Sequence, residues 1–149
     1  MDRGRPRVRA VVDTNVVAYF LLGTQPFVEE ARQFWYSVGE PMAPALWEAE
    51  LANVVWMAIR TGIMPPGEGP KRLHLAARLG IRSVPSRKLW QGALSRAVAS
   101  GVAVYDTLFV ELASRERVLL ATFDTKMLAA FPEIAKRPGV LFSSPSTLS

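Results

Sequence analysis

The chain has no cysteine and a single histidine, His74, among 149 residues. Without thiols there are no disulfides, no thiolate zinc sites and no cysteine nucleophile. One imidazole leaves little room for histidine triads or imidazole-rich metal sites. Long apolar runs are missing too. The longest, residues 16–22, falls far short of the roughly 20 residues a membrane-spanning helix needs. Arg3, Arg5, Arg7 and Arg9 give the start a superficial likeness to a signal peptide, but Asp13 and Asn15 interrupt the apolar stretch such a segment requires. The expectation is a soluble, cytoplasmic protein with no membrane partner. Its chemistry must come from carboxylates, hydroxyls, amides and cations.

Half of the residues are hydrophobic, 50%, and 21% are charged, enough to bury one full core. We expect one domain over residues 1–149, with a basic N-terminal extension (1–8) and a Ser/Pro-rich tail (143–149). The 18 basic residues outnumber 13 acidic ones, and 14 of the 18 are arginine. Arginine binds phosphate in a bidentate fashion, which makes a nucleic-acid partner plausible; a GC-rich genome would give the same bias.

Short β-branched or apolar runs at 9–12, 41–43, 81–84, 118–122 and 139–142 read as strands. Helical patterns span 15–22, 26–38, 45–60, 71–79, 88–100, 106–115 and 125–130, several closed by glycine. Met64-Pro65-Pro66-Gly67-Glu68-Gly69-Pro70 is the one marked loop. It has neither the third glycine of a dinucleotide loop nor the Gly-Lys of a P-loop. Strands alternating with helices predict an α/β fold, a three-layer α/β/α sandwich with a central parallel sheet. In such sheets ligands bind beyond the carboxyl ends of the strands.

Acids sit where that rule directs attention. Asp13 follows the first strand, Asp124 follows the strand at 118–122, and Asp106 opens a helix after an apolar stretch. Each alone is explained by helix N-capping, which favours aspartate. Three on one sheet edge is a less ordinary pattern. On the 45–60 helix, Trp47, Leu51, Val54, Val55 and Ala58 make an apolar stripe with Glu50 beside it. Glu48 competes for the same role, and periodicity does not choose between the two. Carboxylates gathered together repel, or some stay protonated, unless a hard divalent cation joins them. Mg²⁺ and Mn²⁺ prefer such oxygen ligands. They activate water and neutralise charge on a phosphodiester. An acidic pocket on a basic body suits a metal-dependent nuclease.

Four segments then resemble, in order, the motifs of PIN-domain ribonucleases. Val11-Val12-Asp13-Thr14-Asn15-Val16 is similar to the first, and Pro44-Ala45-Leu46-Trp47-Glu48-Ala49-Glu50-Leu51-Ala52-Asn53-Val54 to the second. There an acid precedes Asn by three positions, which selects Glu50. Val104-Tyr105-Asp106-Thr107-Leu108-Phe109-Val110-Glu111-Leu112-Ala113 resembles the third and Leu119-Leu120-Ala121-Thr122-Phe123-Asp124 the fourth, with Thr two positions before the acid. The length resembles VapC-type toxins of toxin–antitoxin pairs. The resemblance implies a PIN-like sandwich, commonly dimeric, that hydrolyses single-stranded RNA with Mg²⁺ or Mn²⁺ and is silenced by a cognate antitoxin protein. It implies Asp13 and Asp106 as the firmest metal ligands, with Glu50 and Asp124 completing the set and orienting the attacking water. Thr14, Asn15 and Thr122 would support the site by hydrogen bonding.

Other features have plainer explanations. The arginines at 3, 5, 7 and 9 could track a phosphate backbone, but a frayed, solvated terminus is the favoured explanation. Arg82, Arg87, Lys88 and Arg96 could line a substrate groove, against the default of solvated helix faces. Trp35, Trp47, Trp56 and Trp90 suit core or dimer contacts better than base-stacking platforms. His74 is expected on a solvent face. Two other functions compete: a catalytically silent PIN-fold module that binds RNA or protein, and an aspartyl-phosphate protein. The second lacks the acid two residues after Asp13 that a phosphatase of that kind would show, and Lys126 sits awkwardly for a receiver.

Overall fold

The computed structural model describes residues 8–142. Arg3, Arg5 and Arg7 and the 143–149 tail lie outside the described residues. Val8–Val12 (β1) opens the fold as a β-branched run whose Ala10, Val11 and Val12 are wholly buried, as a strand covered on both faces must be. Thr14–Leu22 (α1) and Val28–Ser37 (α2) follow, then Val38–Pro44 (β2) and Leu46–Arg60 (α3). Glu68–Ala77 (α4) leads to Arg82–Val84 (β3), a single 3-10 turn at Ser86–Lys88, and Trp90–Ser100 (α5). Val104–Glu116 (α6), Leu119–Ala121 (β4), Thr125–Ala130 (α7), Ala135–Lys136 (β5) and Pro138–Leu141 (α8) complete the described chain.

All strand pairings are parallel, in the order β3-β2-β1-β4-β5. Helices cover both faces, which gives the three-layer sandwich expected from the alternation of elements. The order places β1 at the centre. The chain leaves β1 to build β2 and β3 on one side, then crosses back to add β4 and β5 on the other. The gap beyond β1 and β4 is therefore the topological switch point, where a crevice opens in doubly wound sheets.

Packing explains where the helices lie. α6 runs across β1, β2 and β4 beneath α5, and Leu108, Phe109, Val110, Leu112 and Ala113 are buried on several sides of it. Gly92 of α5 makes room for α6: a Cβ there would fall 2.3 Å from the Glu111 carboxyl. That carboxylate bonds Arg96 at 2.9 Å and Arg115 at 2.7 Å. α1, α3 and α4 pack against one another. Gly69 lets α4 approach α3, since a Cβ there would come within 2.9 Å of Ile59. The Trp47 indole N–H donates to Ser83 Oγ at 2.8 Å and ties α3 to β3.

Some boundaries differ from the sequence expectation. The last strand is Ala135–Lys136, and residues 139–142, expected as a strand, lie in α8 and the residue after it. Pro138 occupies the first turn of α8, where its missing N–H costs nothing, and Glu30 accepts the Gly139 N–H at 2.9 Å. The aliphatic residues there read as a strand only if that distant acid is ignored. α4 begins at Glu68 rather than 71, and α6 begins at Val104 rather than at Asp106. No single helix among the described residues is long and apolar enough to cross a membrane.

Candidate active site

Asp13 leaves the end of β1 as the N-cap of α1. Its Oδ1 accepts the Thr14 backbone N–H at 2.8 Å, and its Oδ2 accepts the Thr122 hydroxyl at 2.7 Å. Asp124 caps α7 in the same manner, accepting the Lys126 N–H at 2.8 Å. The capping explanation of these two acids is therefore correct. It is also incomplete, because both line one cleft with Glu50 and Asp106. Asp106 caps nothing; it is the third residue of α6, whose N-cap is Ala103.

The cleft holds about 260 Å³ at the switch point, lined by Asp13, Thr14, Asn15, Glu50, Asp106, Asp124, and Ala18, Tyr19 and Val54. α1 supplies Thr14, whose hydroxyl donates to Glu50 Oε1 of α3 at 2.7 Å. Glu48 is exposed, so packing makes the choice that periodicity could not. Asn15 bridges the two central strand ends. Its Nδ2 lies 3.4 Å from both Asp13 Oδ2 and Thr122 Oγ1, and its Oδ1 accepts the Phe123 N–H at 3.2 Å. Thr122 is fully buried behind Asp13 and also accepts the Asp124 N–H at 3.0 Å. All seven residues singled out in the sequence thus fall on or directly behind one cleft.

Their electrostatics follow from burial. Asp13 is only 7% exposed, and this desolvation lifts its carboxyl from 3.8 to about 7. Bonds from Thr122 and the Thr14 backbone oppose the rise, while the charges of Asp106 and Glu50 add to it. Glu50 is raised by burial and by Asp106, against its bond from Thr14. Asp106 is raised by burial and by Asp124, and Lys126 pulls it back. Three of the four carboxyls are thus held above their ordinary values in one small space, the condition a cation relieves.

Among the described residues no three acids or imidazoles converge tightly enough to form a ready-made ion cage. The donor chemistry nonetheless fits a hard cation. Mg²⁺ commonly binds through one or two carboxylates and keeps several waters, so carboxylates spaced around a hydrated cleft suit it. Lys126 reaches Asp106 with its charge, but Arg82, Arg87, Lys88 and Arg96 do not line the cleft. Arg82 pairs with Glu116 at 2.9 Å, Arg96 with Glu111, and Arg87 lies over the Trp90 ring. Arg9 is consumed by Glu40 at 2.6 Å and Glu116 at 3.2 Å. Of the tryptophans, Trp47 is buried, Trp35 packs against the core, and Trp56 and Trp90 are half exposed. His74 is exposed. Sequence reasoning missed Ala18, Tyr19 and Val54. Their signal was spacing, since Ala18, Tyr19 and Val54 lie one helical turn after Thr14, Asn15 and Glu50.

A parallel α/β sandwich with a carboxylate cleft at its switch point defines the class. The PIN domain model matches residues 10–136, and the chain belongs to that family. Solved structures of the same fold include a toxin-antitoxin complex from Klebsiella pneumoniae, with 18% identity over 87% of this chain and 97% of that one, and a TM-score of 0.63. VapBC2 from Rickettsia felis, bound to a DNA fragment from its promoter, has 12% identity over 87% and 98% of the two chains, with a TM-score of 0.61. FitAcB from Neisseria gonorrhoeae has 21% identity over 87% and 97%, also with a TM-score of 0.61. No curated protein matches the chain by sequence.

Proposed function

We propose that this protein is a Mg²⁺- or Mn²⁺-dependent endoribonuclease that hydrolyses phosphodiester bonds of single-stranded RNA. We further propose that it is the VapC-type toxin of a type II toxin–antitoxin pair, acting as a single PIN-like domain in the cytoplasm. The observation that carries the reading is the cleft itself. Four acids from four separate segments meet there, each within a segment that resembles a PIN motif.

In this reading Asp13 and Asp106 would hold the ion. Glu50, oriented by the Thr14 hydroxyl, and Asp124, fixed as a helix cap, accept hydrogen bonds from the attacking water and turn it toward phosphorus. The bound ion supplies Lewis acidity and offsets negative charge on the phosphodiester. Thr122 and Asn15 keep the Asp13 carboxylate aligned and ionised by donating to it. Hydrolysis adds water across a P–O bond and needs no other reactant.

An antitoxin partner is supported by the toxin-antitoxin complex among the structures of like fold. A homodimer is supported by α5. Trp90 is 51% exposed, Leu94 56% and Val98 80%, at four-residue spacing on one face. The only charge on that helix, Arg96, is paired with Glu111, so two copies can meet there without repulsion.

The test is cleavage of a labelled single-stranded RNA pool in Mg²⁺, in Mn²⁺ or in EDTA, beside Asp13→Asn. Metal-dependent cutting that the variant loses is the expected result. If antitoxin-free protein does not cut, the reading falls in favour of a silent RNA- or protein-binding module.

A further inference from the structure

The cleft is not uniformly polar. Along α1, Thr14 and Asn15 are followed one turn later by Ala18 and Tyr19; along α3, Glu50 is followed by Val54. Both helices therefore lay a polar group at one end of the cleft and an apolar one at the other. The separation is a single turn, about 5.4 Å. The apolar end is backed by an aromatic cluster. Tyr19 stacks on Phe27 with centroids 4.6 Å apart at 14°, and meets Phe123 at 5.3 Å. Arg137, held by Glu30 at 2.7 Å, lies 4.8 Å over the Phe123 ring. Among the described residues the Tyr19 hydroxyl has no hydrogen-bond partner, and it is not a buried unpaired group.

From this we infer that the Ala18–Tyr19–Val54 end of the cleft is a nucleobase subsite, receiving a base next to the cut phosphate, with the Tyr19 hydroxyl reading its edge. The inference rests on the nuclease reading and adds how the substrate is recognised. A phosphodiester at the carboxylates must carry a base within about one nucleotide of them, and the apolar end lies at that reach. A base is a flat apolar ring with a polar edge, which a half-buried tyrosine complements with its own apolar ring and polar tip. Single-stranded RNA is recognised in this manner, by splayed bases set against aromatic side chains. A protein side chain could also fill an apolar end. The four carboxylates would draw a cationic side chain to themselves rather than to this apolar lining, whereas a nucleotide whose phosphate is cut there carries a base within reach of it.

The test uses the full chain and short RNAs. A cut site mapped in an RNA pool is rebuilt with an abasic residue at either flanking position. One of the two abasic substrates should raise KM on the order of 10–100-fold while leaving kcat nearly unchanged. Tyr19→Ala should raise KM for intact RNA by a similar factor and remove the abasic penalty, the signature of direct coupling. Tyr19→Phe keeps the ring against Phe27 and Phe123, and should retain the abasic penalty while losing about 3–10-fold of discrimination among the four bases. An abasic penalty undiminished in Tyr19→Ala, with base preference unchanged in Tyr19→Phe, overturns the inference. So does an effect of Tyr19 on binding a partner protein with none on RNA. A second arm measures anisotropy of short homopolymers on Asp13→Asn with and without Tyr19→Phe. Base preference that depends on Tyr19, in a protein that cuts nothing, keeps the subsite and removes the nuclease reading. Cutting that ignores Tyr19 does the reverse.

Discussion

Replacing Asp13 with Asn should stabilise the metal-free protein at neutral pH while destroying its proposed activity. Burial raises the Asp13 carboxyl from 3.8 in the unfolded chain to about 7 in the fold. Between those values the folded state holds a proton that the unfolded state has released, so stability falls as pH rises through this window. A shift of about 3 units corresponds to roughly 4 kcal/mol lost by pH 8. Asparagine keeps the shape and an acceptor for the Thr14 N–H, but leaves the Thr122 hydroxyl with a poorer partner, which costs about 1 kcal/mol. The net gain for Asp13→Asn is then about 3 kcal/mol at pH 8 and close to nothing near pH 4. At about 2–4 °C per kcal/mol for a chain of this size, the variant should melt some 6–12 °C higher than the unsubstituted protein at pH 8 in EDTA. Thermal unfolding of both proteins from pH 4 to 8 measures this directly. A Tm difference independent of pH would refute the reasoning, because it would mean the carboxylate is not desolvated as its burial requires. Mg²⁺ should narrow the gap by stabilising only the unsubstituted protein.

Three other outcomes follow from the same geometry. Glu50→Gln should lower RNA cleavage by about 10–100-fold, by analogy with losses seen when supporting groups of metal sites are removed, while Glu48→Gln on the exposed face changes it less than about 2-fold; cleavage rates of the two variants decide it. Thr122→Val removes a donor that lowers the Asp13 pKa, so the acidic limb of the pH–rate profile should move to higher pH. Apparent Mg²⁺ affinity should fall by about 10–100-fold in the same variant. Leu94→Glu places a charge on the apolar face of α5 and should convert a dimer to a monomer in sedimentation equilibrium without lowering Tm by more than about 2 °C.

Local sequence carries much of this molecule, because much of it is local physics. The run Ala10-Val11-Val12 must be covered on both faces, so a central parallel strand is legible from three residues. Asp13 and Asp124 are legible as caps for the same reason, since each side chain bonds an N–H one or two residues away. The stripe on α3 and the alternation of strands with helices suffice for the sandwich. Tertiary structure alone decided what depends on distant partners. Periodicity leaves Glu50 and Glu48 open and the spacing to Asn53 in the PIN resemblance selects Glu50, but the contact of the Thr14 hydroxyl with Glu50 comes only from the packing of α1 on α3. Asp106 looked like another cap; the seating of α6 across the sheet instead brings it to Asp13 as an uncapped charge. The residues at 139–142 read as a strand until Glu30, more than 100 positions away, takes the Gly139 N–H. The elevated pKa of Asp13 belongs to no segment either, because desolvation is a property of everything packed around a group, and that is settled only when the whole sheet has closed over it.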